Sequence, residues 1–359
     1  MRILFVTGSL PDIKCGVGKY TSQLLRTLTN ETDIELAVLT VNDTAINPIA
    51  RVNHFYSTGK TITESDMHLV VEAFNPNIVH FQFPTVGLIE DSTLGVVRDR
   101  GITVIQTWHE HFDDCEALNI EHARNIDGLV YVRENLLERL PREIASLLKS
   151  VETRYIQNIS MLNTGLIKED QLVLDIRKIL NSKRPRLNLF YFGFIHSNKG
   201  LLELISQLDF SKYHLFISGE IDPQNEYIQL LLETIYSLNL SEFVTFCGYL
   251  NDSEILSFLD FADALVFPFQ AGVGNFNTSY LAALQSDTLV IVTDLEKTFY
   301  EEEVHCMHLQ INSLTGINSI ESSMFQKKIR IKNFSNWNEV ARKHIKLYNE
   351  ILIKKGQNV

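Results

Sequence analysis

Short apolar runs alternate with segments of helical periodicity along most of the sequence, and this alternation limits the fold more than any other feature. Residues 2–7 form an apolar run, and apolar residues at helical spacing follow between Val17 and Leu28. Such alternation is typical of parallel sheets with helices on both faces, so we expect an α/β protein. The other predicted strands of the first half are 34–40, 78–81, 104–107, 128–132 and 154–156.

The pattern restarts near residue 187, after a basic stretch at 182–186. With 359 residues, 45% of them hydrophobic, the chain is long enough for two cores. We predict two Rossmann-like doubly wound domains that face a central cleft. Their ranges are 1–165 and 187–332, with a connection at 166–186 and a closing helix in 333–359 that returns to the first domain. The second domain's predicted strands are 187–192, 214–218, 244–246, 264–267 and 288–292, and its helices 201–207, 226–238, 252–258 and 278–285.

Composition excludes several classes of protein. A net charge of −12 argues against nucleic-acid binding, which favours a basic surface. The four cysteines are far apart in sequence and form no Cys-x-x-Cys motif, which suits a reducing compartment. The N-terminus resembles a first strand more than a secretory signal, and no apolar run approaches about 20 residues. We expect a cytoplasmic protein, and peripheral contact with the inner face of a membrane stays compatible with this composition.

The loop at 14–18 (KCGVG) precedes the first predicted helix. Glycines let a backbone approach a ligand closely, and a helix N-terminus favours anions. The strict phosphate motifs fail, because Ile13 and Thr21 stand where the Walker and dinucleotide motifs require glycine. Gly16 and Gly18 are assigned to donor binding, and a plain glycine turn that enters a helix remains open as the alternative.

The segment 107–114 (TWHEHFDD) follows a predicted strand, where open α/β sheets carry their ligand loops. His109 is a candidate acid or base, or a hydrogen-bond partner for a sugar hydroxyl. An extended segment would place His109, His111 and Asp113 on one face, which suggests a metal site. The spacing fails the His-Glu-x-x-His pattern, and no later cluster supplies ligands. We therefore expect no metal site here. The alternative to a functional role for this segment is an ordinary polar loop.

The segment 191–200 (YFGFIHSNKG) joins a strand to a helix. Lys199 stands at the start of that helix, where a lysine beside backbone N–H groups can hold a diphosphate. Gly193, His196 and Asn198 belong to the same turn and are assigned to donor binding. The alternative is a solvated lysine whose charge opposes the helix dipole.

A second glycine loop, 267–279 (FPFQAGVGNFNTS), precedes another predicted helix, which Asn277 or Thr278 can cap. The alternative to a ligand-binding role is an ordinary long glycine loop that leads into a capped helix. Because this domain contains two loops suited to anions, a phosphate site is better supported than it would be by either loop alone. The donor-binding candidates in this loop are Gly272, Val273, Gly274, Asn275, Asn277 and Thr278.

Taken in order, these segments resemble the family-4 glycosyltransferases with the two-domain GT-B architecture, and the resemblance extends over nearly the whole chain. It rests on the glycine loop, a strand ending in a His-Glu pair, a Lys-Gly turn, a Leu-Ala-Ala-Leu helix and a closing helix. The matching segments are 11–18, 104–110 (VIQTWHE), 155–160 (YIQNIS), 193–200, 248–254, 261–263 (FAD), 281–292 (LAALQSDTLVIV) and 333–352.

The resemblance implies an enzyme of polysaccharide biosynthesis that moves a hexosyl group from a UDP- or GDP-sugar to a glycan or lipid-linked acceptor. It implies retention of anomeric configuration, no metal and no cofactor beyond the nucleotide-sugar co-substrate. His109 would contact the donor sugar or stabilise developing charge, and Lys199 would bind the diphosphate. The first domain would serve the acceptor, through Gln82, Glu110 and His111, and the second the donor.

Several positions depart from the family pattern. Gly274 and Ala282 stand where the family has two glutamates, one of which usually holds the ribose hydroxyls. Phe194 replaces a common arginine, Asp287 a glycine and Leu289 a proline. These changes put nucleotide recognition in question.

Three functions remain open from the sequence. Retention of His109 and Lys199 favours an active glycosyltransferase. The lost glutamates and Phe194 suggest a catalytically silent homologue that binds a partner protein or a sugar. A nucleotide-sugar epimerase is a third alternative, although the segments above lack the several carboxylates that its acid–base steps would need.

Overall fold

The computed structural model describes residues 1–41, 48–57, 59–85, 87–112, 118–162, 175, 178–179, 181–182, 186–310, 313–328 and 336–357. The chain divides into two compact units. Unit 1 contains Met1–Ile159 together with Ser335–Val359, and unit 2 contains Ser160–Phe334. Each unit is built around a mostly parallel sheet with Rossmann-like order, so the predicted α/β class with two such domains is confirmed.

Unit 1 holds a parallel seven-stranded sheet in the order β3-β2-β1-β5-β7-β8-β9 and a two-stranded parallel pair, β4-β6. The central strands β5 and β7 are buried along their whole length, which explains why apolar runs predicted them. The strands are β1 (Arg2–Val6), β2 (Glu35–Val41), β3 (Val52–Ser57), β4 (Thr61–Ile62), β5 (Ile78–Phe83), β6 (Leu88–Ile89), β7 (Thr103–Trp108), β8 (Gly128–Tyr131) and β9 (Glu152–Tyr155).

The helices of unit 1 cover this sheet with apolar faces. Helix α2 begins with a capping box, in which the Thr63 hydroxyl accepts from the backbone N–H of Asp66 and the Asp66 carboxylate accepts from that of Thr63. The helices that precede the second unit in sequence are α1 (Gly16–Leu28), α2 (Glu64–Phe74), α3 (Ser92–Asp99), α4 (Ile120–Arg124) and α5 (Arg142–Leu147).

Unit 2 contains a second seven-stranded sheet in the order β12-β11-β10-β13-β14-β16-β15, in which only β15 runs antiparallel to its neighbour. Its strands are β10 (Leu187–Phe192), β11 (Tyr213–Ser218), β12 (Val244–Gly248), β13 (Ala264–Phe267), β14 (Leu289–Asp294), β15 (Phe299–Glu301) and β16 (Cys306–Gln310). Its helices are α6 (Leu201–Gln207), α7 (Glu226–Ser237), α8 (Asp252–Phe261) and α9 (Thr278–Ala283).

The last helix, α10 (Trp337–Lys354), belongs to unit 1 although all of unit 2 precedes it in sequence. Asn336 caps its N-terminus, and a stripe of buried residues at helical spacing runs along one side. Glu350 pairs with Arg154 at 2.5 Å, and the ring of Trp337 lies 5.3 Å from that of Tyr20 on α1. The predicted return of the closing helix to the first domain is confirmed.

Candidate functional site

The loops that follow β1 and β5 pack tightly against each other in unit 1. A Cβ added at Gly18 would lie 2.8 Å from the carbonyl oxygen of Ser9, so glycine at this position allows α1 to approach the loop. A Cβ at Gly16 would have no described atom within 4 Å. Packing therefore explains Gly18, while Gly16 faces open space and keeps its assignment as a ligand contact.

His109 follows directly after β7 and is only 7% exposed. Its backbone N–H donates to the carbonyl of Phe83 at 2.8 Å, which ties it to the end of β5. Its ring Nε2 lies 2.9 Å from Oε1 of Gln82, and its ring contacts that of Tyr20 edge to face at 4.9 Å. The side chain is thus held by the sheet, by α1 and by a buried amide.

Burial lowers the pKa of His109 to about 3, and His344 and Arg133 add electrostatic repulsion in the same direction. A histidine with such a pKa is neutral at physiological pH. It is a weak general base, and almost none of it is protonated to serve as an acid. A neutral imidazole at this position acts through hydrogen bonds, which suits contact with a sugar hydroxyl.

The three candidates for the acceptor side lie in different surroundings. Gln82 is fully buried and hydrogen-bonded to His109, so its side chain has no exposed surface for an acceptor in this structure. Its assignment as an acceptor contact stays a prediction, and its observed partner is His109. His111 is 5% exposed, whereas the Glu110 side chain is 41% exposed and forms an ion pair with Arg133.

The described residues supply no set of ligands for the metal site that was considered above. Asp113 lies outside the described residues. Among the residues that are described, no group of three or more histidine, cysteine, aspartate or glutamate side chains could hold a metal ion. Within the same ranges, no helix is both long and apolar enough to cross a membrane.

In unit 2, the predicted Lys-Gly turn follows β10 as a short 3-10 helix, Ser197–Lys199. The ring Nδ1 of His196 accepts from the backbone N–H of Asn198 and begins this turn. His196 and Asn198 are exposed, and Lys199 is half-buried. Gly200 then adopts φ 65° before α6, a conformation that favours glycine.

The turn is held by the loop that follows β13. The backbone N–H of Gln270 donates to the carbonyl of Asn198 at 3.0 Å, and Lys199 Nζ lies 4.3 Å from the centroid of the Phe269 ring. A Cβ at Gly200 would lie 1.9 Å from the carbonyl oxygen of Pro268. Pro268 and Phe269 had no predicted role. Their position directly after β13, beside the carboxyl end of β10, is the signal that could have identified them.

The glycine loop 272–279 is organised by Asn277. The side-chain oxygen of Asn277 accepts from the backbone N–H of Gly274 at 2.9 Å and makes no bond to the N-terminus of α9. The predicted side-chain cap by Asn277 or Thr278 is therefore wrong, because the loop uses the Asn277 side chain internally. A Cβ at Gly193 would lie 3.5 Å from Ser279 Oγ, so this loop and the Lys-Gly turn meet at one edge of the sheet.

The departures from the family pattern have a structural basis. A Cβ at Gly274 would lie 2.5 Å from the ring of Phe276, so a side chain at position 274 would require this ring to move. Ala282 is 2% exposed inside α9. Phe194 is 58% exposed beside the Lys-Gly turn. Val273 is half-buried and Asn275 exposed. Recognition of a nucleotide here cannot use carboxylates at positions 274 and 282.

Comparisons with known proteins agree with this architecture. Residues 173–305 match the family model described as Glycosyl transferases group 1. A comparison with curated proteins gave no significant match. Among solved structures, a glycosyltransferase from Rickettsia africae ESF-5 is similar with a TM-score of 0.73 at 16% identity, over 98% of each chain.

Two further solved structures share the fold. Alr3699/HepE of Anabaena in complex with UDP and glucose has a TM-score of 0.66 at 14% identity, over 99% of each chain. A UDP-GlcNAc 2-epimerase from Neisseria meningitidis bound to UDP-GlcNAc has a TM-score of 0.56 at 14% identity, over 99% of this chain and 100% of its own. The chain therefore has the fold of the two-domain GT-B glycosyltransferases, and its residues 173–305 are similar to the Glycosyl transferases group 1 family.

Proposed function

We propose that this protein is a retaining, metal-independent glycosyltransferase that transfers a hexosyl group from a UDP- or GDP-sugar to a glycan or lipid-linked acceptor. The observation that carries the proposal is the meeting of the Lys-Gly turn and the glycine loop at the carboxyl edge of the unit 2 sheet, with Lys199 above Phe269. Open α/β sheets bind ligands at this edge. The group 1 family match covers the same region.

Lys199 suits the leaving group of such a reaction. When the bond between sugar C1 and the diphosphate oxygen breaks, the electron pair stays on the nucleoside diphosphate and its negative charge grows. An ammonium group fixed beside the diphosphate stabilises that charge more in the transition state than in the ground state. The acceptor oxygen forms the new bond to C1, and its proton passes to the departing diphosphate oxygen, on which the electron pair of the broken bond lies. The Phe269 ring limits where the ammonium can lie, which favours a preorganised site.

His109 suits a contact with the donor sugar. Its imidazole is neutral, so it exchanges hydrogen bonds with a hydroxyl without a change of charge. This assignment relies on the family resemblance, and unit 1 supplies the rigid support described above.

The other two functions make different predictions. An epimerase shares the fold, as the Neisseria meningitidis protein shows, so the fold alone does not choose between them. A silent homologue is favoured by Phe276 occupying the space of a side chain at 274 and by Phe194 at the position of an arginine. We favour an active enzyme over a silent homologue, because Lys199 would have no function in a scaffold.

Calorimetric titration with UDP, GDP and their sugars, without metal, tests the proposal. We expect the full chain to bind one nucleotide class, and Lys199→Ala to weaken that affinity at least about tenfold, since hydrogen bonds to charged groups contribute about 1.5–3 kcal/mol. Lys212→Ala is the matched control, because Lys212 pairs with Asp209 ahead of β11, at the amino edge of the same sheet. Release of nucleoside diphosphate in the presence of acceptor glycans then distinguishes transfer from epimerisation.

A folded protein that binds none of these nucleotides would overturn the donor site and favour the silent homologue. Binding that Lys199→Ala and Lys212→Ala leave equally strong would remove Lys199 from the site. Interconversion of two UDP-sugars without transfer would support an epimerase.

A further inference from the structure

A continuous chain of buried hydrogen bonds leads from α10 to His109. Tyr348 Oη lies 2.7 Å from His80 Nδ1, and His80 Nε2 lies 2.8 Å from Thr107 Oγ1. Nε2 of Gln82 donates to Thr107 Oγ1 at 3.4 Å, and its Oε1 lies 2.9 Å from His109 Nε2. The first four of these side chains are fully buried. Such a network of satisfied polar groups has a fixed geometry.

The chemistry of the glutamine amide decides the direction of the last bond. The oxygen Oε1 has no proton to give, so the bond to His109 exists only if His109 Nε2 carries the proton. A neutral imidazole carries one proton, and the low pKa of His109 keeps its ring neutral. Nδ1 of His109 is then the unprotonated nitrogen, which accepts a hydrogen bond.

We propose that Gln82 is a positioning residue that holds His109 in the tautomer with its proton on Nε2, so that Nδ1 accepts from a substrate hydroxyl. The proposal rests on the proposed function for its catalytic consequence only. Gln82 itself is held by Thr107, and His80 connects Thr107 to Tyr348. The last helix therefore supports the candidate catalytic histidine, although α10 follows it by more than 200 residues in sequence.

The anchoring by His80 explains why a histidine lies in the middle of a buried strand. Both of its ring nitrogens are bonded, one to Tyr348 and the other to Thr107, so the ring cannot rotate without breaking a bond. A polar group without partners would destabilise the fold here, and the two hydrogen bonds of His80 offset that penalty. The His80 ring thereby connects α10 to β7.

Nuclear magnetic resonance of the full chain with 15N-labelled histidine tests the proposal directly, because protonated and bare ring nitrogens differ strongly in 15N shift. Assignment by His109→Gln identifies the signals. We expect the wild-type His109 to carry its proton on Nε2 near pH 7.5. In Gln82→Met we expect a mixture of both tautomers. In Gln82→Glu, which keeps an acceptor oxygen, we expect the proton to stay on Nε2.

Gln106→Met is the matched control. Gln106 is also a fully buried glutamine, on β7, but its side chain bonds Trp108 and the carbonyl of His122. With the donor and acceptor found in the binding experiment, Gln82→Met should lower kcat at least about tenfold while the KM for the donor changes little, since a misplaced tautomer impairs catalysis more than binding. Gln106→Met should leave both the tautomer and the kcat-to-KM split unchanged.

A wild-type His109 with its proton on Nδ1 would overturn the proposal, as would an unchanged tautomer in Gln82→Met. Both results are read from the resonance spectra, without any substrate. Failure of the nucleotide-binding experiment would overturn the proposed function alone and leave this measurement decisive for the tautomer.

Discussion

Buried histidines in unit 1, His80, His109 and His344 among them, should make this unit sensitive to mild acid. His80, His109 and His344 have lowered pKa values, and burial is the largest cause for each. The pKa of His344 falls from 6.5 to about 4. Above pH 6.5 the histidines are neutral whether the chain is folded or unfolded. Below it the unfolded chain takes up protons that the folded unit excludes, so the free energy of unfolding falls with pH.

The size of the loss follows from the pKa values. For His344, with a pKa of 6.5 unfolded and about 4 folded, the free energy of unfolding is about 1.3 kcal/mol lower at pH 5.5 than at pH 7.5. His109 contributes about the same, since its folded pKa is lower still. The lowered pKa of His80 acts in the same direction. Even the contribution of His344 alone is a noticeable part of the roughly 5–15 kcal/mol that is typical of an ordinary domain.

His344→Leu isolates one site. It removes the bond from His344 Nδ1 to the carbonyl of Val340. It also removes a buried Nε2 that has no partner among the described residues. We therefore expect stability within about 1 kcal/mol of wild type near pH 7.5, because an unsatisfied polar atom is replaced by an apolar group. Near pH 5.5 the variant should lose about 1.3 kcal/mol less than wild type does.

Urea unfolding followed by tryptophan fluorescence measures this unit selectively, because both tryptophans, Trp108 and Trp337, belong to unit 1. His68→Gln is the matched control, since His68 is half-exposed on α2 and pairs with Glu64. The control should follow the wild-type pH dependence. An equal loss of stability in wild type and in His344→Leu would refute the reasoning that burial keeps His344 neutral.

Two further substitutions test the Lys-Gly turn. Gly200→Ala should destabilise unit 2 by about 3 kcal/mol or more, because the added Cβ overlaps the Pro268 carbonyl. Gly248 has a similar φ and open space around its Cβ, so Gly248→Ala should cost only about 1 kcal/mol. Circular dichroism in urea compares the free energies of unfolding of the two variants, and equal losses would contradict the steric argument. Phe194→Arg should strengthen nucleotide binding about fivefold in a salt-dependent way, because it adds a cation at an exposed position of the segment that contains Lys199. Calorimetry at low and high salt checks this, and an unchanged affinity would show that position 194 does not contact the diphosphate.

The strands that are buried on both faces were all predicted from their apolar runs, among them β5, β7, β10 and β13. β10 and β13 occur at their predicted bounds, since an apolar run with sharp polar ends defines a buried parallel strand. Strand β3 was missed because it lies at the edge of its sheet, where Val52–Ser57 alternate without an apolar run. Helix α2 was also missed, although Thr63 and Asp66 carry a capping-box signal.

The residues of the candidate site that could be predicted are those whose role depends on the local sequence around them. Gly200 follows from the left-handed turn before α6, and His109 from the end of β7. The role of Gln82 depends on a neighbouring strand, because Gln82 pairs in register with Thr107. Polar residues at every second position of β5, His80 and Gln82, are the local sign that one face of a buried strand carries a network.

The same reasoning bears on the missing carboxylates of the donor loop. Removing a glutamate from position 274 alone would leave space and an open site. Here Phe276 occupies that space, and Asn277 bonds the backbone N–H of Gly274, so the loop is closed by its own side chains. This packing favours the silent homologue, whereas Lys199 in the Lys-Gly turn favours an active donor site. An active site would have to recognise its nucleotide by contacts other than a carboxylate at position 274, and the nucleotide titration decides between the two.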